Sequence, residues 1–228
     1  MKERPILMNA EMVRATLDGR KTQTRRIVKP ALVEAINFLG GGPEDDPAQT
    51  DGITLHYGRQ LSDNGQDSSE PQWLISSADY PDEGCIAAGQ LYGAVGDELW
   101  VRETHSIRVK PEDSTTGCGI AWHREGSGWD GDPRVKWKPS IHMPRWASRI
   151  SLRITEVRCE RLNDISEADA LAEGISRDAD YPCAPPCQDC ACGSPVTRYQ
   201  ILWESINGAG SWERNDWVWA ISFERVKR

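Results

Sequence analysis

Histidine and phenylalanine are scarce in this chain, with four His and two Phe among 228 residues. His56, His105, His123 and His142 stand at no metal-ligand spacing from one another, which argues against a catalytic zinc. No apolar run approaches the roughly 18–20 residues of a membrane span. The segment Met1–Asn9 lacks the apolar stretch of a secretory leader, so the expected compartment is the cytoplasm, with no membrane partner. The chain also lacks a Gly-x4-Gly-Lys phosphate loop and a Gly-x-Ser-x-Gly nucleophile elbow, which argues against the P-loop and serine-hydrolase readings. Seven cysteines are an odd number, which argues against a full disulfide framework.

What is present describes a globular protein. Hydrophobic residues make up 38%, charged residues 27%, and there are ten Trp. The net charge of −8 has one main source, because residues 44–83 carry ten acids and a single base, Arg59. The remainder is close to balance. Such a surface permits a local basic mouth but not the broad basic stripe of a duplex-coating protein.

Local signals predict short elements. Residues 9–18 read as a helix with Asn9 as N-cap, Val13 and Leu17 on one face, and Gly19 at the left-handed C′ position. Residues 98–105 read as a strand after the Gly96-Asp97 turn. Residues 149–155 alternate, with Ile150, Leu152 and Ile154 inward, and Val157 breaks the parity, which places a bulge or turn near Thr155-Glu156. Ser166 to Glu173 is a short capped helix ended by Gly174, and 195–207 a longer one with Pro195 at its first position. Residues 216–224 are apolar on both faces, as a central or barrel-closing strand would be. Stretches near 40–90, 110–135 and 178–195 read as loop insertions, the first with room for one hairpin. The fold class is α+β, a small β-barrel with short flanking helices, in one domain over 1–228.

The most informative segment is Gly19-Arg-Lys21-Thr-Gln-Thr24-Arg25-Arg26. Its charges alone would fit a solvated basic loop. Following a short amphipathic helix, however, it resembles the signature of the ASCH domain: a glycine, a lysine two residues on, and a Thr three further. Gly96 to Val101, Leu202 to Gly208 and Trp217 to Val226 resemble other segments of phage- and prophage-encoded ASCH proteins. The likeness spans roughly residues 4–30, 94–106, 140–175 and 197–226. It implies a PUA-like barrel that handles RNA or modified bases.

One small bacterial branch of the family is an N4-acetylcytidine amidohydrolase that uses a Lys, a Thr three residues later and a distant Glu. The resemblance lays these roles on Lys21, Thr24 and Glu173. A lysine desolvated in a pocket can act as a base near neutrality. It could activate the Thr24 hydroxyl or a water for attack on an acyl carbonyl. Glu173 could carry the proton to the leaving amine, and Arg26 or backbone N–H groups could hold the oxyanion.

Other residues have weaker claims. Trp100 and Trp146 could stack on a base, although core packing is the commoner role of a Trp. Arg102 and His105 extend the same strand toward a pocket, and Arg145 and Arg149 flank Trp146 as phosphate candidates. Cys183, Cys187, Cys190 and Cys192 fall within ten residues and could hold a structural zinc or stay free thiols; no cofactor is required for the chemistry. Three functions stay open: hydrolysis of an N-acyl amide on a cytidine-type base; non-catalytic binding of a nucleoside, RNA or single-stranded nucleic acid; and, for a phage accessory protein, contact with a host protein through the acidic 44–83 segment.

Overall fold

The computed structural model describes residues 1–40, 52–60, 70–78, 85–89, 92–109, 119–126, 128, 135–176 and 194–227. The chain is α+β, with ten strands and four α-helices among the described residues. Its main sheet has five strands in the order β1-β6-β9-β10-β2, formed by Glu3–Leu7, Glu98–Arg102, Ser151–Arg161, Trp217–Val226 and Gln23–Ile27. Strands β1 and β6 run parallel and the other neighbours antiparallel. Where a closed barrel is expected, β1 and β2 instead form the two edges of the sheet. Helix α1 (Ala10–Leu17) joins these edges in sequence. The Arg26 side chain spans them in space, donating from Nη2 to the Leu7 carbonyl at 2.9 Å.

Local chemistry accounts for the short elements. Asn9 caps α1, its side-chain oxygen accepting from the Met12 N–H at 2.8 Å, a bond worth about 1 kcal/mol. Ser166 caps α3 (Glu167–Ala172) in the same way through the Asp169 N–H. Helix α4 runs from Pro195 to Asn207 and ends before Gly208. The parity break near Val157 is a real irregularity: the β9–β10 register skips Thr155, stepping from Glu156↔Ser222 to Ile154↔Phe223.

Strand β10 is an interior strand, between β9 and β2, and both of its faces are buried for different reasons. Trp217, Trp219, Ile221 and Phe223 enter the main core with Ile6, Val13, Leu99, Leu152 and Ile154. Val218 points the other way, into a second cluster with Leu162, Ile165, Ala170, Tyr199 and Trp203 under α3 and α4.

Three elements differ from the sequence reading. Within 40–90, a three-stranded antiparallel sheet replaces the expected loop with a hairpin: β3 (Ile53–Gly58), β4 (Gln72–Ser77) and β5 (Ile86–Gly89). Its centre is the run Trp73-Leu74-Ile75, buried throughout, with Ile75 in the main core. Three apolar residues between Gly/Asp/Ser-rich flanks are too short a run to show periodicity. Residues Pro30–Gly40 form a further helix, α2, opened by its proline. The strand expected over 98–105 breaks after Arg102, and β7 (His105–Val109) pairs with β8 (Gly119–His123) inside the second insertion. At the break the Glu103 carboxylate is drawn into a bidentate pair with Arg149 at 2.9 and 2.8 Å.

Candidate functional site

The site begins where two short helices end. After α1 the chain turns through Gly19 at φ +77°, and the backbone N–H groups of Arg20 and Lys21 both donate to the Ala15 carbonyl at 2.9 Å. Lys21 then forms an isolated antiparallel bridge with Glu173, the C-cap of α3, and the Thr22 N–H donates to the Ala172 carbonyl. Gly174 completes the junction at φ +98°, with no room for a side chain: a Cβ there would lie 2.9 Å from the Ala15 Cβ and 3.1 Å from the Lys21 Cβ.

This junction seals an ion pair. The Lys21 Nζ donates to the Glu173 Oε2 at 2.6 Å and to the Glu173 carbonyl at 2.9 Å, with side-chain exposures of 1% and 4%. Burial pushes the Lys21 pKa below its ordinary value, outweighing the opposing pull of the Glu173 charge.

Strand β2 supplies the second hold on Glu173. Side chains alternate along a strand, and cross-strand partners share a face. Arg25, opposite Ala220, lies on the α3 side, whereas Thr24, opposite Ile221, lies on the main-core side. The fully buried Arg25 guanidinium reaches the Glu173 Oε1 from Nη1 at 3.4 Å, donates from the same nitrogen to the Gln23 side-chain oxygen at 2.6 Å, and directs Nε and Nη2 at Glu160. Asp169 lies 3.6 Å from the Arg25 Nη2 and binds Arg158 at 3.0 Å. Burial alone would raise the Asp169 pKa, but hydrogen bonds from Ser166, Gln23 and Arg158 outweigh it and bring it down to about 2.

Glu173 opens onto a cleft of about 500 Å³ between the ends of β1 and β2 and one face of α4. Arg25, Arg26 and Tyr199 also line it, with Trp203, Leu202 and Met12. The volume falls within the range of small-molecule pockets, and the lining combines apolar and aromatic walls with a few polar groups. Tyr199 is buried with its ring 5.9 Å from the Arg25 guanidinium carbon, and burial holds its phenol well above the usual range.

Lys21 and Glu173 are therefore brought together from 152 residues apart. Thr24 does not join them. Its hydroxyl is fully buried and has no hydrogen-bond partner among the described residues. Arg26 lines the cleft, as expected of it.

The other named residues stand outside the cleft's wall. Trp100 packs beneath two guanidinium groups, Arg102 at 4.8 Å and Arg145 at 5.8 Å from its ring, and Arg145 is held by Glu3 at 2.7 Å on both oxygens. Arg102 sits beside Leu7, a cleft-lining residue, in the β1–β6 register. Trp146 is half exposed. His105 is buried against the Glu103 carbonyl, and burial lowers its pKa. Cys183, Cys187, Cys190 and Cys192 lie outside the described residues, within which no cluster of His, Cys, Asp or Glu could hold a metal. No helix among the described residues is long and apolar enough to cross a membrane.

Arg25, Gln23 and Tyr199 were not singled out by sequence. For Arg25 the available signal was its alternation with Lys21 and Gln23 on a strand; for Tyr199, its place on the apolar stripe of α4. No family model matches the chain, and no curated protein or solved structure matches it.

Proposed function

We propose that this chain is a PUA-like protein of the ASCH type that binds a cytidine-type base in the α1/β2/α4 cleft and hydrolyses an N-acyl amide on it. The observation that carries the reading is the buried Lys21–Glu173 pair, whose glutamate lines a cleft sized for a nucleoside. The Arg26 side chain, which links the edge strands β1 and β2 beside that cleft, supports reading the open sheet as barrel-like.

The geometry suggests a division of labour. A carboxylate suits the exocyclic amine of cytosine, which is a donor. Glu173 takes a proton from a water as the water oxygen bonds to the acyl carbon. Arg26, on the cleft wall, is the cation available to the developing oxyanion. The C–N bond then breaks as Glu173 passes the proton to the departing N4, releasing a carboxylic acid and the free amine. Lys21 faces Glu173 and does not line the cleft, so it acts through the carboxylate it holds. Thr24 has no part in this scheme because it occupies the other face of β2.

A second reading is a non-catalytic module for a modified base in RNA or single-stranded nucleic acid. It is favoured by the same two facts: the Lys21 ammonium is occupied by Glu173, and Thr24 offers no nucleophile to the cleft.

Incubation with a panel of N4-acylated cytidines and other acylated nucleosides, read by mass spectrometry, tests the proposal, alongside calorimetry with cytidine. Release of cytidine that falls by about 10²–10⁴-fold in Glu173→Gln supports hydrolysis. Binding without turnover selects the second reading, and neither binding nor turnover overturns both.

A further inference from the structure

We infer that Arg25 is a positioning residue, which, with Lys21, grips the two oxygens of Glu173 one apiece and fixes the carboxylate plane that faces the cleft. The inference rests on the cleft reading above and adds residues that reading does not use: Arg25, and Glu160 behind it.

The geometry is a relay. Lys21 Nζ takes the Glu173 Oε2 at 2.6 Å, while the Arg25 Nη1 stands 3.4 Å from Oε1. The other edge of the same guanidinium, Nε and Nη2, closes on one oxygen of Glu160. Gln23, two residues earlier on the same face of β2, accepts from the Arg25 Nη1 and so aims the nitrogen that meets Glu173. Glu160 comes from β9, on the far side of β10 from β2, so the sheet itself anchors the far end of the relay.

Stability is a poor explanation for this arrangement. Arg25 is fully buried, and a buried ion pair often contributes no more than a well-packed hydrophobic residue of similar volume. Lys21 alone would also leave the carboxylate free to swing about its hold on one oxygen. A second cation on the other oxygen removes that freedom, and reacting groups must be held within a fraction of an ångström. Arginine suits the role because its planar fork serves two carboxylates at once, which a lysine ammonium cannot do in the same geometry.

The test is a mutant cycle read on kcat and KM for N4-acetylcytidine, with cytidine affinity by calorimetry and thermal unfolding alongside. Arg25→Met should lower kcat by about 100-fold or more with KM changed less than about three-fold. Arg25→Lys should recover melting temperature but not kcat, whereas a purely structural cation would recover both. The milder Glu160→Gln keeps the shape of the site should Arg25→Met fail to fold, and should lower kcat by about ten-fold. The decisive result is non-additivity: in a Glu173→Gln background, Arg25→Met or Glu160→Gln should cost no further turnover, because both act through Glu173. Losses that multiply in the double variants would overturn the inference while leaving the cleft reading intact. If acetylcytidine is not turned over, the cycle is read on cytidine affinity, where additive losses again overturn the inference. Absence of cytidine binding in the unmodified protein removes the cleft reading and the inference together.

Discussion

The Nζ of Lys21 donates both to the carboxylate and to the backbone carbonyl of Glu173, so one ammonium group holds the side chain and the main chain of the same residue. This doubles the consequence of removing it. Lys21→Ala leaves a buried carboxylate with Arg25 as its remaining cation and strips a partner from the carbonyl. Unfolding in urea should show a loss of about 3–5 kcal/mol, the cost of breaking a buried pair on one side. The double variant Lys21→Met/Glu173→Leu should recover most of that stability while abolishing turnover. A double variant as unstable as Lys21→Ala would mean that packing at the junction, and not the orphaned charge, sets the cost.

Gly174 lies against this pair. Gly174→Ala combines a positive φ with a Cβ pressed onto Ala15 and Lys21. Overpacking of this kind costs about 1–3 kcal/mol, and the backbone conformation adds a further cost for any L side chain. The midpoint of denaturation should fall accordingly, with turnover reduced as Lys21 is displaced. A change below about 0.5 kcal/mol, the range of ordinary surface substitutions, would show that the turn after α3 moves aside freely.

Thr24 offers the sharpest contrast with the reading taken from resemblance. Its hydroxyl is buried on the core side of β2 without a protein partner among the described residues. An unsatisfied buried hydroxyl costs about 1–3 kcal/mol, and an apolar group of the same shape removes that cost. Thr24→Val should leave stability unchanged or raise it, and turnover should stay within a few-fold. A loss on the order of 10²-fold or more in a stably folded Thr24→Val, the size of an acid–base or positioning contact, would put the hydroxyl into the reaction.

Asp169 makes the network sensitive to acid. Its pKa is about 2 in the folded chain against an ordinary 3.8. A carboxyl group with a depressed folded pKa contributes stability that is complete above the unfolded value and is lost as the pH falls through the folded one. The Asp169 contribution should therefore be intact above about pH 4 and disappear between about pH 4 and pH 2. Asp169→Asn should be less stable at neutral pH and should flatten that part of the stability curve, as read by urea midpoints across pH. An unchanged acid limb would assign the acid sensitivity to other carboxylates.

The sequence by itself determined the features that depend on neighbouring residues. Asn9 and Ser166 cap their helices because a short polar side chain can reach an N–H three residues on, whatever the rest of the chain does. Gly19 and Gly174 stand where the backbone turns left-handed. The doubly apolar run at 217–223 announced a strand covered on both sides, and the parity break at Val157 marked the bulge. Tertiary structure alone decided the site. Whether Lys21 meets Glu173, 152 residues away, depends on how α1 and α3 end against each other. Which face of β2 Thr24 occupies depends on its register with Ile221, and a slip of one residue would exchange Thr24 with Arg25. Arg25 reads in the sequence as one more charge in a basic run. It becomes a buried anchor because Glu160, Asp169 and Glu173, from β9, α3 and the end of α3, converge on it. Pairing at such separations is governed by packing of the whole sheet, on which the local pattern of residues bears only weakly.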